Sequence, residues 1–584
     1  MGSSEEAQVD ATGQRKVFEP RDLSQQHPAF TLPGEIWTSM VETPCSFEPE
    51  YYQRVMLNLI RHPEIASTYL FRAEIFYDSF NDPEGKFVKH IKAEYKPRAC
   101  EVAGYVLQQT IVRRMIPRNP QRDDPLVQTC HIFNSKKPSG PEKSLVIYIP
   151  HAESPTDVPF YHPTVSALAF LHTWPTTTTT TTTTASAILG TLSIHYRLFP
   201  THALDTRLTR TALSLLTLIN KHSLGQKAGY VKRVHHDQLI PQARFQDTYT
   251  RLKSTYAKPL IDAWVEQTPP GKHVFEDLGI AAFLLELWAD MYATNTEAQN
   301  AESKGNGERK PPFPGFVDIG CGNGVLVYVL RQEGFPGWGF DARRRKTWDT
   351  FPPAVQESLK ELVLVPESFQ RSAAPSSSSS SSSSSGDAAD VLAALGLETA
   401  APKFHNGVFE HGTFIVSNHA DELTPWTPLL AYLSGSPFIA IPCCSHNFAG
   451  AKFRAPVQKA GRSAEKQEAE KEQGTKTGDL KKKNHQPSAY ATLCDWVERL
   501  AEDAGFVPEK EMLRIPSTRN AGIVGRKRAE VREEGTMEER LEVVRRLLVE
   551  QMGGNVDGVG GLEGVGREWV ERAGKLVKGV GGGH

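Results

Sequence analysis

Apolar positions recur along the chain with two different periods, and the change of period divides it. Between residues 33 and 231, short apolar or alternating runs are separated by Pro and Gly clusters. They occur at Tyr105–Val112, Thr129–Phe133, Ser144–Pro150, Ala167–Thr173 and Leu192–Leu198, a pattern that predicts strands. Helical spacing predicts helices over Tyr51–His62 and Pro63–Leu70 before them and over Thr206–Lys221 after them. The second half alternates the two periods. A charged helix is expected over Arg244–Glu266. A buried helix is expected over His273–Tyr292, where Leu278, Ala281, Ala282, Leu285 and Trp288 recur at helical spacing. Strand signals follow at Phe316, Trp338–Phe340, Leu362–Val365, Thr413–Val416 and Pro437–Ile441, with a helix-compatible run at Val325–Leu330. The helix Ala489–Ala504, two strands at Met512–Ile515 and Ala521–Val524, and an amphipathic helix over Glu538–Met552 complete the pattern. Strands alternating with helices predict a parallel sheet covered by helices.

Polar and low-complexity stretches set the boundaries. Residues 1–30 are polar, Thr176–Thr184 is a run of threonines, and Thr294–Lys310 reads as a linker. Ser376–Ser385 is a serine tract, and a Lys- and Glu-rich segment from Val457 to His485 has no apolar periodicity, so neither can supply a core. The expected organisation is a disordered terminus over 1–30 and a mixed, largely β domain over 31–230 with a Thr-tract loop. A helical region over 231–310 leads into an α/β domain over 311–530 that carries both insertions. Residues 531–584 are expected as a helix followed by a disordered Gly-rich tail.

Charge and cysteine content narrow the class. A net charge of −2 gives no overall nucleic-acid signature, leaving room for a local basic face. The 7 cysteines are scattered, contain no C-x-x-C pair and fit a reducing compartment. No apolar run reaches membrane-spanning length, and the polar, acidic MGSSEEAQVD start is no signal peptide, so a soluble intracellular protein is expected.

The chemistry concentrates in Phe316–Asp341, FVDIGCGNGVLVYVLRQEGFPGWGFD. This reads as strand, glycine turn, helix, strand and terminal acid. Gly320, Gly322 and Gly324 let the backbone turn sharply and approach a ligand, Asp318 orders the turn, and Asp341 can accept hydrogen bonds from a ribose diol. The G-x-G-x-G spacing differs from the G-x-G-x-x-G of dinucleotide folds and fits an S-adenosylmethionine site. Arg343, Arg344 and Arg345 keep an NADP-dependent oxidoreductase open as an alternative, and they serve equally as RNA-phosphate contacts. Past the fourth strand lies a polar cluster, Asn418, His419, Asp421 and Glu422, where open α/β sheets bind ligands. Cys443, Cys444 and His446 after the fifth strand are spaced too tightly for the usual zinc clamp, and buried thiols are the expectation; no obligatory metal is expected.

The runs VDIGCGNGVLVYVL, FDARRRKTWD, NHADELTPW, IPCCSHNF and LRIPSTRNAGIVGR, with KRVHHD, FQDTY and VFEDLGIAAFLLELW, resemble the tRNA (uridine-44) 2′-O-methyltransferase family. The resemblance covers roughly Gly229–Arg526, apart from the Ser tract and the charged insertion, and is loose over the N-terminal domain. It implies a class I (Rossmann-like) methyltransferase domain, S-adenosylmethionine as cofactor, tRNA as substrate and a cytoplasmic setting. On that reading Asp318, Gly320, Gly322, Gly324, Asp341 and Asn418 bind the cofactor. Asp421 is the favoured general base, with Glu422 and His419 as alternatives and Lys452 as a single lysine of the Lys-Asp-Lys-Glu type. A capping role for Asp421 or Glu422, at a helix starting near Pro425, is the competing account. Lys232, Arg233, Arg343, Arg344, Arg345 and Arg519 are the expected RNA contacts. A non-catalytic tRNA- or partner-binding protein on the same fold remains the third class.

Overall fold

The computed structural model describes residues 18–24, 26, 27, 30, 35–119, 122–136, 140–175, 190–230, 236–293, 310–370, 404–456, 488–529, 535–552 and 561–577. The chain divides into two compact units, Met1–Arg233 and Val234–His584. The Thr tract, the Ser tract and the Lys/Glu-rich insertion lie outside the described residues.

Among the described residues, unit 1 holds one antiparallel sheet of eight strands: β1 (Arg21–Asp22), β2 (Thr38–Cys45), β3 (Leu70–Asp78), β4 (Tyr105–Pro117), β5 (Leu126–Ser135), β6 (Glu142–Pro150), β7 (Ala167–Trp174) and β8 (Gly190–Arg197). Its order is β1-β2-β8-β7-β6-β5-β4-β3. The helices Pro49–Arg61 and Thr206–Lys227 cover one face, burying Tyr52, Met56, Leu216 and Ile219 against Cys130, Val146, Phe170 and Ile194. Asp205 caps the second helix by accepting from Leu208 N–H at 2.7 Å. The helix expected over Pro63–Leu70 is only a 3₁₀ turn, Pro63–Ile65, and Leu70 already opens β3. β2 and β3 escape the apolar pattern because their inward positions include Ser39, Thr43 and Arg72, all buried.

Unit 2 holds a seven-stranded sheet: β9 (Phe316–Ile319), β10 (Gly337–Asp341), β11 (Leu359–Glu361), β14 (Phe414–Asn418), β15 (Phe438–Ile441), β16 (Glu509–Met512) and β17 (Ala521–Gly525). The order is β11-β10-β9-β14-β15-β17-β16. The first five are mutually parallel, and β17 runs antiparallel to both β15 and β16. Two positions differ from expectation. The third strand is Leu359–Glu361, whereas Val363–Leu364 (β12) pairs with Phe404–His405 (β13) in a separate two-stranded sheet. β16 precedes Met512–Ile515 because Glu511 is buried and bonded to the loop before the helix Gln242–Leu252, accepting from Asp237, Gln238 and Leu239 N–H at 2.7–2.8 Å.

One face of this sheet is covered by the helices Pro270–Met291 and Val325–Gln332, with Trp288 fully buried against Phe316 and Phe414. The other carries Thr427–Leu433, Ala489–Asp503, Met537–Gln551 and Leu562–Val577. The last corrects the expected disordered tail. Leu562, Trp569, Val570 and Ala573 form an apolar stripe, and Trp569 Nε1–H donates to Leu364 O at 2.7 Å. The charged helix after Pro241 ends at Asp262 instead of Glu266 and passes through a π turn at Lys253–Ala257. Glu266 instead accepts from Thr347 N–H and Oγ1–H. Among the described residues no helix is long and apolar enough to cross a membrane.

Candidate active site

β9 and β14 are neighbours whose connections leave in opposite directions, and a cleft of about 770 Å³ opens at the carboxyl ends of the parallel strands there. That volume lies within the usual range for small-molecule sites. Gly320, Gly322 and Gly324 all have left-handed backbone, with φ of 73°, 50° and 77°. A Cβ at Gly320 would stand 3.1 Å from Ala420 Cβ, and one at Gly324 2.9 Å from Leu359 Cδ1. A Cβ at Gly322 would meet nothing within 4 Å, because this residue borders the open cleft. Asp341, at the end of β10, accepts from Gly322 N–H and Arg343 N–H, each at 3.1 Å, and Trp348 Nε1–H donates to Gly322 O at 2.9 Å. The turn is therefore fixed by its surroundings, with its open side toward the cleft.

The end of β14 is unusual. His419 and Asp421, neither a glycine, have φ of 50° and 43°. Such conformations cost about 1–3 kcal/mol each and persist only where neighbours hold them. The holding groups are visible. His419 Nε2 lies 3.2 Å from Glu276 Oε1, and Asn418 Nδ2–H donates to Asp277 Oδ1 at 3.0 Å. Asn323 Nδ2–H donates to Asp277 Oδ2 at 3.4 Å. The helix Pro270–Met291 thus ties the glycine turn and the end of β14 together through two adjacent acids. From β15, Cys443 Sγ–H donates to Asp421 Oδ1 at 2.8 Å, and His446 Nε2 stands 3.9 Å from Glu422 Oε1. The helix Thr427–Leu433 has no side-chain cap, so the capping account of Asp421 is not realised there.

The cleft floor is acidic and buried. Burial, with the Glu276 charge beside it, pushes Asp277 from the usual 3.8 up to about 7, against the pull of the Asn323 and Asn418 amides. Burial, then the charges of Asp277 and Asp341, drives Asp318 well above the carboxylate range, and its Oδ1 is buried without a hydrogen-bond partner. Glu276 moves the other way: burial opposes its charge, but the hydrogen bond and charge of His419 outweigh burial and lower it. Burial disfavours the charged form of these acids and a neighbouring cation would favour it, so the floor suits a cationic ligand.

Asp318, Gly320, Gly322, Asp341, Asn418, His419, Asp421, Glu422, Lys452, Arg343, Arg345 and Arg519 all line this cleft. Gly324 lies behind it, starting the helix Val325–Gln332. The arginines do not form one row. Arg344 pairs with Asp349 at 2.6 Å and lies over Trp348, Arg345 approaches Asp341 at 3.7 Å, and Arg519 donates to Cys443 O with its Nη1 3.3 Å from Cys444 Sγ. Lys232 and Arg233 lie outside the described residues. Sequence reasoning missed Glu276 and Asp277, and it expected Cys443 and Cys444 as buried thiols, whereas both are only half-buried at the cleft. The signal for the first two was an acidic pair inside an otherwise apolar helix, since such residues are buried only with partners. Asp421, Cys443 and Cys444 place ligand atoms within 4.8 Å of one another. Burial and then Asp421 raise the Cys443 thiol, which favours its role as a hydrogen-bond donor to Asp421 over that of a thiolate ligand.

Two family models match the chain. One, described as "TRM44-like, N-terminal bet v1-like domain", covers residues 16–233, and the other, "Predicted AdoMet-dependent methyltransferase", covers residues 239–366. Among curated proteins, a tRNA (uracil-O(2)-)-methyltransferase of Neurospora crassa is 46% identical over 84% of this chain and 87% of its own. One of Aspergillus oryzae is 40% identical over 97% of this chain and 96% of its own. One of Saccharomyces cerevisiae is 36% identical over 84% and 87%. No solved structure matches.

Proposed function

The chain belongs to the tRNA (uracil-O(2)-)-methyltransferase family, and from that premise we infer that it methylates the ribose 2′-oxygen of a uridine in tRNA, using S-adenosylmethionine. The observation that carries this reading for the site is the pairing of an open glycine turn with a strained, acid-bearing end of β14 across one cleft. The cofactor's chemistry suits the residues present: Gly322 leaves room for close approach, Asp318 Oδ1 and Asn418 Oδ1 are buried polar atoms without partners, and the acidic floor favours a cation. The strand order and the reversal between β9 and β14 support a class I, Rossmann-like sheet. Asp341 would hold the cofactor's ribose, and Asp318, Gly320, Gly322, Gly324 and Asn418 would shape the rest of its site.

S-adenosylmethionine supplies an electrophilic methyl group. This chain's residues must position the 2′-hydroxyl, exclude water and take up its proton. Positioning can supply about 7–11 kcal/mol of barrier reduction, and a general base about 10²–10⁴-fold. Asp421 is the proposed base. It borders the cleft, its carboxylate is oriented by the Cys443 thiol, and its backbone is set by the strained turn. Glu422, His419 and Lys452 surround the same space. His419 is committed to Glu276, which favours Asp421 over it. Position 44 and a cytoplasmic setting are what the resemblance to the tRNA (uridine-44) 2′-O-methyltransferase family implies. Incubating the protein with tRNA transcripts carrying uridine or cytidine at position 44 tests the position. Methyl incorporation into the uridine transcript alone supports it, and equal incorporation into both overturns it.

A further inference from the structure

We propose that unit 1 carries a tRNA-binding surface of its own: Lys86, Lys89, Lys92 and Lys96, interleaved with the exposed ring of Phe87, hold the phosphate backbone. This rests on tRNA being the substrate and assigns a contact outside the cleft. Between β3 and β4 the chain makes three 3₁₀ turns, Ser79–Asn81, Phe87–His90 and Ala93–Tyr95. Lys86 and Lys89 belong to the start and body of the Phe87–His90 turn, where residues three apart eclipse, and Lys92 and Lys96 flank the Ala93–Tyr95 turn on either side. All four are exposed. Lys86 pairs with Glu84, an exposed contact that is worth little and yields readily to phosphate. Among the described residues Lys89, Lys92 and Lys96 make no ion pair within 4.0 Å. Residues 84–98 hold five Lys or Arg against two Glu in a chain whose net charge is −2, so the positive charge is local.

Two further features separate this surface from an ordinary solvated charge run. First, it is fixed. Asp82 accepts from Phe87 N–H at 3.0 Å and Val88 N–H at 2.9 Å. His151 Nδ1–H donates to Glu94 O at 2.9 Å, His131 Nε2–H to Arg98 O at 2.7 Å, and Arg98 N–H to Thr129 Oγ1 at 3.1 Å. Tyr95 stacks on Phe76 with centroids 3.9 Å apart. The lysines therefore project from a backbone already bonded to β5 and the end of β6, and little ordering is needed on binding. Second, Phe80 and Phe87 are 67% and 59% exposed. Rings left in water beside cations match the combination that binds unpaired nucleotides, in which bases stack on aromatics and phosphates meet lysines. An acidic protein partner would use the charge but gain less from the rings.

The test uses the full chain and tRNA across a salt series. K89Q/K92Q/K96Q should lower the slope of log affinity against log salt by about 2–3, since each phosphate contact contributes roughly 0.7–0.9. Its KM for tRNA should rise, with kcat at saturating tRNA, S-adenosylmethionine affinity and thermal midpoint unchanged. The charge-preserving K89R/K92R/K96R should keep the wild-type slope. F87A should weaken tRNA binding without changing the slope. An unchanged slope and KM in the glutamine variant would overturn the proposal, including the case in which the surface serves a protein partner. Absence of tRNA methylation by the wild-type enzyme would instead overturn the reading on which the proposal rests.

Discussion

Asp277→Asn is the perturbation whose consequence the structure sets most fully. Asp277 is buried beside the Glu276 charge, and its folded pKa is raised from 3.8 to about 7. Between those values the folded chain keeps a proton that the unfolded chain has lost. Stability from this group therefore falls as pH rises from about 4 to about 7, and the full penalty is present above that. The interval corresponds to about 4 kcal/mol. Asparagine removes the penalty but offers one acceptor oxygen where Asp277 uses two, for Asn323 and Asn418. The unsatisfied donor costs about 1–3 kcal/mol. The D277N protein should thus be less stable than wild type by about 1–3 kcal/mol near pH 4, and more stable by a similar amount near pH 8. Calorimetric unfolding from pH 4 to 8 reads this directly. The two stability curves should cross. Parallel curves would refute the buried, proton-holding role of Asp277.

Three other outcomes follow from the same geometry. Gly322→Val fills the open side of the turn and strains a φ of 50°, and Asp341→Ala removes the acceptor of Gly322 N–H; both should weaken S-adenosylmethionine binding by calorimetry, and wild-type affinity in both would sink the cofactor assignment. Asp421→Asn should keep both substrates bound while lowering the single-turnover rate by about 10²–10⁴-fold, whereas a near-normal rate would remove Asp421 as base. Glu511→Gln leaves three backbone N–H donors facing a single acceptor oxygen and should lower unit 2 stability by about 1–3 kcal/mol, measured by urea unfolding; no change would mean that the carboxylate does not anchor residues 237–239.

The parts of the site that were legible in the sequence depend on short-range constraints. The glycine turn is legible because close approach and left-handed backbone demand particular residues at fixed spacing. Asp421 is legible because a strand's carboxyl end is where open sheets place ligands. Glu276 and Asp277 were not assigned a role because their partners, His419, Asn418 and Asn323, lie 46–143 positions away along the chain. The Cys443 thiol was expected to be simply buried, but it donates to Asp421 across two strand ends, a contact no local pattern encodes. β11 was misplaced because Lys360 and Glu361 are exposed at the sheet edge and dilute its apolar signal. The helix Leu562–Val577 was hidden by the glycines around its apolar stripe.

The methyl group is expected on a ribose oxygen. Alkaline hydrolysis cuts RNA through the free 2′-oxygen, so a 2′-O-methylated residue survives joined to its 3′ neighbour. tRNA labelled by this enzyme from methyl-labelled S-adenosylmethionine, digested in alkali, should release the label in an alkali-resistant dinucleotide. Label recovered in a mononucleotide would place the methyl on a base and contradict the account.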